Sequence, residues 1–309
     1  MTPQLHRRVE EALARPVIAP VRAFAEMLGE QDNALAVLFY GSNLRTGSLE
    51  GVLDFYVLRE GAAETGIWPR VSYHEWDWAG DVHTPATTLR AKVATMTLAT
   101  FHQAASGALL DTTIWARFVQ PSAIAWQRSD AAGAKVRDAI AAGAMTAARL
   151  AVALGPGEGP AEKYWRALFQ ATYRAELRVE KAGREESIIS ADPEHYRGLL
   201  PIALEAAGIA CPQDGDVLRP QLDKATGKAV LHWWRRRQRL GKPYNLVRLI
   251  KASTTFEGAA RYAAWKVERH TGIPVKLTPW RERHPLLAAP AVLVGIWRER
   301  ARRARREQA

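Results

Sequence analysis

The sequence predicts an α/β (α+β) protein: a mixed sheet with flanking helices, then a helical domain, then a basic amphipathic C-terminal element. Three observations lead there. Short apolar runs of strand length at 36–42, 52–58, 71–76 and 92–96 crowd into the first hundred residues. From about 98 to 210 the chain turns Ala-rich and helical in texture. Residues 224–309 carry 21 Lys and Arg against 5 Asp and Glu, whereas residues 1–223 carry 22 against 27. The expected divisions are 1–110 for the sheet domain, 111–240 for the helical domain and 241–309 for the basic element.

Bulk composition narrows the class. A chain of 309 residues, 48% apolar and 24% charged, buries a sizeable core and is not disordered. The single Cys211 excludes an internal disulfide framework and a four-Cys zinc site, and it suits a reducing compartment. Residues 1–30 mix Arg7, Arg8, Glu10 and Glu11 with apolar side chains, which predicts an amphipathic helix rather than a targeting signal. The expected location is the cytoplasm. The net charge of +11 comes entirely from the last 86 residues, so a polyanion is the natural partner, either an anionic membrane surface or nucleic acid.

The elements follow in order. The run Ala36–Tyr40 ends abruptly at Gly41-Ser42, and a second run, Val52–Leu58, carries Asp54 near its start. As adjacent strands, they bring Ser42 and Asp54 to one end of a sheet. Small residues and backbone amides there suit phosphates, and a carboxylate suits Mg²⁺. Val71–Trp76 alternates like a third strand and Lys92–Met96 like a fourth. Thr97 or Thr100 then caps a helix to about residue 107. A long helix spans Ala131–Leu154, and Gly-Pro-Gly-Glu-Gly-Pro at 155–160 breaks it. The next helix contains Tyr164–Arg178, with Glu176 and Arg178 near its end. A polar stretch, Lys181–Ser190, precedes a short helix over 193–208. The last third holds helices at 229–240 and 245–270 and a Pro-punctuated tail. Pro285–Trp297 is too short and broken to cross a bilayer, and six arginines follow it.

Gly41-Ser42 followed by Asp54 resembles the opening motif of the nucleotidyltransferase superfamily, in which Gly-Ser meets a triphosphate and the next strand bears metal-binding acids. Many members read Asp-x-Asp, where this chain has Asp54-Phe55-Tyr56. Tyr40-Gly41-Ser42 with Asp54-Phe55 more specifically resembles the translocator-assembly-and-maintenance family, the mitochondrial-type CTP:phosphatidate cytidylyltransferases, which use a lone Asp in this strand. Thr172-Tyr173 with Glu176-Leu177-Arg178-Val179 is similar to that family's Ser-Tyr-x-Gly-Asp-Phe-Arg-Met segment. Lys92-Val93 and Arg117-Phe118-Val119-Gln120-Pro121 are similar to its Lys-Val/Tyr-Gly-Val and Gly-Arg-Leu-x-Lys-Pro region. Lys251–Lys266, with Arg261-Tyr262-Ala263-Ala264-Trp265-Lys266, is similar to its C-terminal Lys/Tyr-bearing helix. The chain departs from the pattern with Asn43 for Gly, Gln120 for Lys and Glu176 for Asp.

The resemblance implies a nucleotidyltransferase-like sheet with Mg²⁺ as cofactor. It implies that Tyr40, Gly41 and Ser42 meet CTP, and that Asp54 binds the metal. Glu176 joins the metal or orients the attacking phosphate. Arg178, Lys92, Arg117 and Lys251 meet phosphate charge, and the catalytic set is Asp54, Glu176 and Arg178. The implied reaction moves CMP from CTP to phosphatidate, giving a CDP-lipid and pyrophosphate.

Trp233-Trp234-Arg235-Arg236-Arg237-Gln238-Arg239 and the stretch Leu286–Trp297 pair bulky apolar groups with dense cations. Such segments anchor peripherally on anionic phospholipid at the inner face of a membrane, and they also suit single-stranded nucleic acid. Core burial of Trp233 and Trp234 is the third reading. His74 reads as a packed strand residue rather than a ligand. No His/Cys cluster has metal-ligand spacing, and the glycine patterns of dinucleotide and P-loop sites are missing. Two alternatives stay open: nucleotidyl transfer to RNA, a protein or a small molecule, and a non-catalytic membrane- or nucleic-acid-binding protein.

Overall fold

The computed structural model describes residues 2–31, 33–66, 69–175, 184–255, 258–283, 288–292 and 294–295. Two helices open the chain, α1 (Pro3–Leu13) and α2 (Ala19–Gln31), where one was expected over 1–30. Arg15 precedes Pro16, and a residue before proline is pushed out of the helical region, so α1 ends there. Pro20 then sits in the first turn of α2, where its missing N–H costs nothing.

Strands β1 (Ala34–Tyr40), β2 (Leu53–Arg59), β3 (Arg70–Trp78), β4 (Thr87–Thr97) and β5 (Ser122–Gln127) form one mixed sheet in the order β3-β4-β2-β1-β5. β2 and β4 run parallel, and the other neighbours are antiparallel. The four expected strands are present. β5 was missed, because it lies in a region read as wholly helical. Its Ser-Ala-Ile-Ala-Trp-Gln has little strand character of its own, and pairing with β1 decides its state. The sheet thus draws its fifth strand from beyond residue 110.

Short helices α3 (Ser42–Thr46), α4 (Leu98–Ala105) and α5 (Thr113–Phe118) link the strands. Thr97 caps α4, its side chain accepting from the Thr100 amide at 3.3 Å. Then come α6 (Asp130–Leu154), α7 (Ala161–Ala175), α8 (Arg184–Ser190), α9 (Pro193–Ala206) and a small hairpin of β6 (Gln213–Asp214) and β7 (Val217–Leu218).

Each face of the sheet carries its own core. On one, Val21, Phe24 and Leu28 of α2 pack against Val37, Phe55, Val57 and Val93. On the other, Leu38, Tyr56, Leu58 and Met96 meet α1, α4, α5 and α6, and the cluster continues through α7 and α9 to Trp234.

α10 (Lys224–Thr255) is continuous, although a break was expected between 240 and 245. Gly241 serves packing instead: a β-carbon there would collide with the Ala175 carbonyl oxygen and the Arg237 guanidinium. Pro243 is accommodated inside the helix. The chain breaks later at Gly258, whose φ of +79° suits glycine, before α11 (Ala259–Thr271) and α12 (Pro279–Arg283).

α10 also settles the place of the Trp-Trp segment. Trp234 is buried, Trp233 packs on Trp115 with ring centroids 6.5 Å apart, and Arg237 is 1% exposed. Arg237 donates to the Thr112 hydroxyl at 3.2 Å. Trp234 is therefore a core residue and Trp233 is half-buried against the core, while Arg235, Arg236 and Arg239 face outward. Among the described residues no helix is long and apolar enough to cross a membrane.

Candidate active site

One rung crosses the whole sheet: Ser122, Tyr40, Asp54, Lys92 and Tyr73, from β5, β1, β2, β4 and β3 in turn. Residues in register share a face of a sheet, so all five stand on the side covered by the long helices. β1 ends at this rung, and β3 and β4 run on past it.

After Tyr40 the chain turns sharply. Gly41 has φ +93°, and a β-carbon on it would lie 3.1 Å from Oδ2 of Asp54. α3 starts at Ser42. Asn43, where the resembled family has glycine, is 7% exposed and donates to the carbonyls of Ser48 (2.8 Å) and Glu50 (2.9 Å). It fastens the loop that returns the chain to Asp54.

Arg117 comes from α5. Its Nη1 donates to the Tyr56 hydroxyl at 2.9 Å, and its guanidinium carbon lies 5.1 Å from the Tyr40 ring centroid and 5.7 Å from that of Tyr56. Tyr40, Tyr56 and Phe118 pack on one another around it. The two aromatic faces and the Tyr56 hydroxyl thus help to hold a cation beside Asp54.

Burial raises the Asp54 carboxyl above the usual carboxylate range, and the nearby charges of Lys92 and Arg117 offset only part of that rise. Tyr40 is pushed well above the ordinary tyrosine value, chiefly by burial, so it remains a neutral phenol. A desolvated carboxylate among cations is stabilised by added positive charge.

The structure brings together Tyr40, Gly41, Ser42, Asp54, Lys92 and Arg117. Glu176 and Arg178 lie outside the described residues. Lys251 lies on α10, of which only the backbone is described at that position. Gln120 donates back to the Ala116 carbonyl at 2.9 Å. His74 shares a 2.8 Å hydrogen bond with Ser72.

Sequence reasoning passed over Tyr56, although its place two residues after Asp54 on a strand puts both on one face. It also missed the part played by α11. There Tyr262 packs on Tyr73 at 5.4 Å between centroids, and the guanidinium carbons of Arg90 and Arg269 lie 5.6 and 5.4 Å from the Trp265 ring. Arg269 reaches Gly51 in the loop before β2.

Among the described residues no group of three or more His, Cys, Asp or Glu is placed to hold a metal ion. That does not conflict with Mg²⁺, which commonly takes one or two carboxylates and fills its shell with substrate phosphate and water. Asp54 suits this mode.

Compared with protein-family models and with curated proteins, the chain matches none. Fold and site together define a mixed α/β protein in which, among the described residues, Asp54, Lys92 and Arg117 gather beside a glycine turn.

Proposed function

We propose that this chain is a nucleotidyltransferase built on a sheet of that superfamily's kind, and that it moves CMP from CTP to an anionic lipid phosphate, phosphatidate. The observation that carries the reading is the register of Asp54 between Tyr40 and Lys92, with Gly41 pressed against its carboxylate. A glycine turn beside a strand-borne acid is what nucleotidyl transfer needs, because that chemistry rests on positioning and charge neutralisation.

Asp54 would hold Mg²⁺, with Glu176 as the further acid that the resemblance names. The bound ion neutralises phosphate charge. Lys92 and Arg117 orient the nucleotide's phosphates and balance their charge. Gly41 leaves the space a side chain would fill. An oxygen of the acceptor phosphate forms a bond to the α-phosphorus, the bond from that phosphorus to the bridging oxygen breaks, and pyrophosphate leaves. The acceptor oxygen is already anionic near neutral pH, so no strong general base is needed.

Phosphatidate is favoured as acceptor by the resemblance around Tyr40–Phe55 and by the basic last third. Trp280, 54% exposed between Pro279 and Arg281, has the character of a headgroup contact. The tail at 296–309 and residues 284–287 lie outside the described residues. The protein would work at the inner face of a membrane without spanning it.

The test is purified full chain with CTP, Mg²⁺ and phosphatidate vesicles. Release of pyrophosphate with formation of a CDP-lipid, both lost in Asp54→Ala, is the expected result. Pyrophosphate released with tRNA but not with phosphatidate would transfer the reading to RNA. Failure of all four nucleoside triphosphates to bind in the presence of Mg²⁺ would end it.

A further inference from the structure

α11 lies along the extension of β3 and β4 beyond the rung. Gly258 starts it hard against β3: a β-carbon there would be 2.8 Å from the Tyr73 carbonyl oxygen. Tyr262, one turn on, packs on the Tyr73 ring, and Trp265 meets Arg90. Arg269 is four residues beyond Trp265, so it shares that face of the helix and rests on the indole. Its Nη1 lies 3.0 Å from where a β-carbon of Gly51 would be, and Gly51 has φ +92°. The positive φ favours glycine at 51.

The two guanidiniums on Trp265 have different surroundings. Arg90 faces the Glu75 carboxylate at 3.3 Å, and that carboxylate also accepts from the Tyr73 hydroxyl at 3.0 Å. Arg269 is exposed, and among the described residues no carboxylate pairs with it. It is braced on one side by an aromatic ring and stands against the loop that Asn43 ties to α3, three residues before Asp54. A planar guanidinium can stack on an indole and still present N–H groups at its edge, which an ammonium cannot do.

We propose that Arg269 is a phosphate-binding residue of this site, braced by Trp265, and that it meets the polyphosphate of the nucleotide. The proposal rests on the nucleotidyltransferase reading for its ligand and adds a third cation to Lys92 and Arg117. It also gives the basic last third a role in the site, separate from any contact with a membrane.

The test uses the full chain with magnesium tripolyphosphate as probe, followed by CTP and phosphatidate kinetics. Arg269→Ala is expected to weaken tripolyphosphate binding by about 10- to 100-fold, the range for one charged hydrogen-bonding group. Arg269→Lys should fall between Ala and wild type, and Trp265→Leu should lose part of the affinity. Thermal stability of Arg269→Ala should stay at the wild-type level, because the side chain is exposed. KM for CTP should rise while KM for phosphatidate stays unchanged. Tripolyphosphate binding as tight in Arg269→Ala as in wild type would overturn the proposal, as would a change confined to the phosphatidate KM. If Arg269 governs tripolyphosphate binding but CTP releases no pyrophosphate with any acceptor, this proposal stands and the proposed reaction falls.

Discussion

Gly41 faces the Asp54 carboxylate so closely that a β-carbon at residue 41 would lie 3.1 Å from Oδ2, on a backbone with φ +93°. With ψ −161° this is a backbone region that essentially only glycine adopts, an L-residue there costs about 1–3 kcal/mol, and the added methyl also crowds the carboxylate. Gly41→Ala should therefore lose about that much stability in urea unfolding. It should lose Mg²⁺-dependent nucleotide binding as well. Nucleotide affinity equal to wild type would remove Gly41 from the site.

Asp54 gives the pH dependence. Its folded-state pKa is raised because burial outweighs the pull of Lys92 and Arg117. A raised carboxyl contributes stability while protonated, and that contribution is lost as pH rises through the folded-state value. Asp54→Asn should thus be more stable than wild type at neutral pH, with the advantage fading toward acid. Turnover needs the ionised group, so the acid limb of CTP turnover should lie above the ordinary carboxylate range. Asp54→Asn should show no turnover at any pH.

Lys92 offsets that rise more than Arg117 does. Removing it in Lys92→Met should shift the acid limb to higher pH and raise KM for CTP. Lys92→Met should also lower stability at neutral pH, because the charge that partly offsets the cost of burying ionised Asp54 is gone. An unmoved acid limb would show that Lys92 does not act on Asp54.

Tyr56 holds Arg117 from a position only 1% exposed. Tyr56→Phe keeps the ring packing and removes the 2.9 Å hydrogen bond. It should cost about 1–2 kcal/mol of stability and raise KM for CTP, with a smaller effect than Arg117→Ala. Equal kinetics in Tyr56→Phe and wild type would mean that this hydrogen bond does not place the guanidinium.

Trp234 separates core from membrane contact. Trp234→Ala should cost about 3–5 kcal/mol, as for other large buried side chains. Flotation of the remaining folded protein with anionic vesicles should be unchanged. Deleting 285–309 should do the reverse, abolishing flotation.

Much of the site was legible because its signals are local. An apolar run that stops at Gly41-Ser42, and another with one acid two residues in, identify two strand ends and the residues on them. Thr97 marks the start of α4 by its own hydroxyl. Local patterns also misled: Gly241 and Pro243 read as a break, yet α10 runs through them because Gly241 lets it pass Ala175.

Local residue patterns alone specify the first four strands, the glycine turn, Asp54 and the basic character of the last third. Each follows from alternation, backbone freedom or charge carried within a few neighbouring residues. Tertiary structure alone decided that Ser122–Gln127 is a strand, that Trp234 and Arg237 are buried, that Tyr56 holds Arg117, and that Arg269 reaches Gly51. In each of those cases the deciding partner lies tens to hundreds of residues away in the chain. Burial, pairing and stacking are properties of both partners, so no local pattern around either one can specify them.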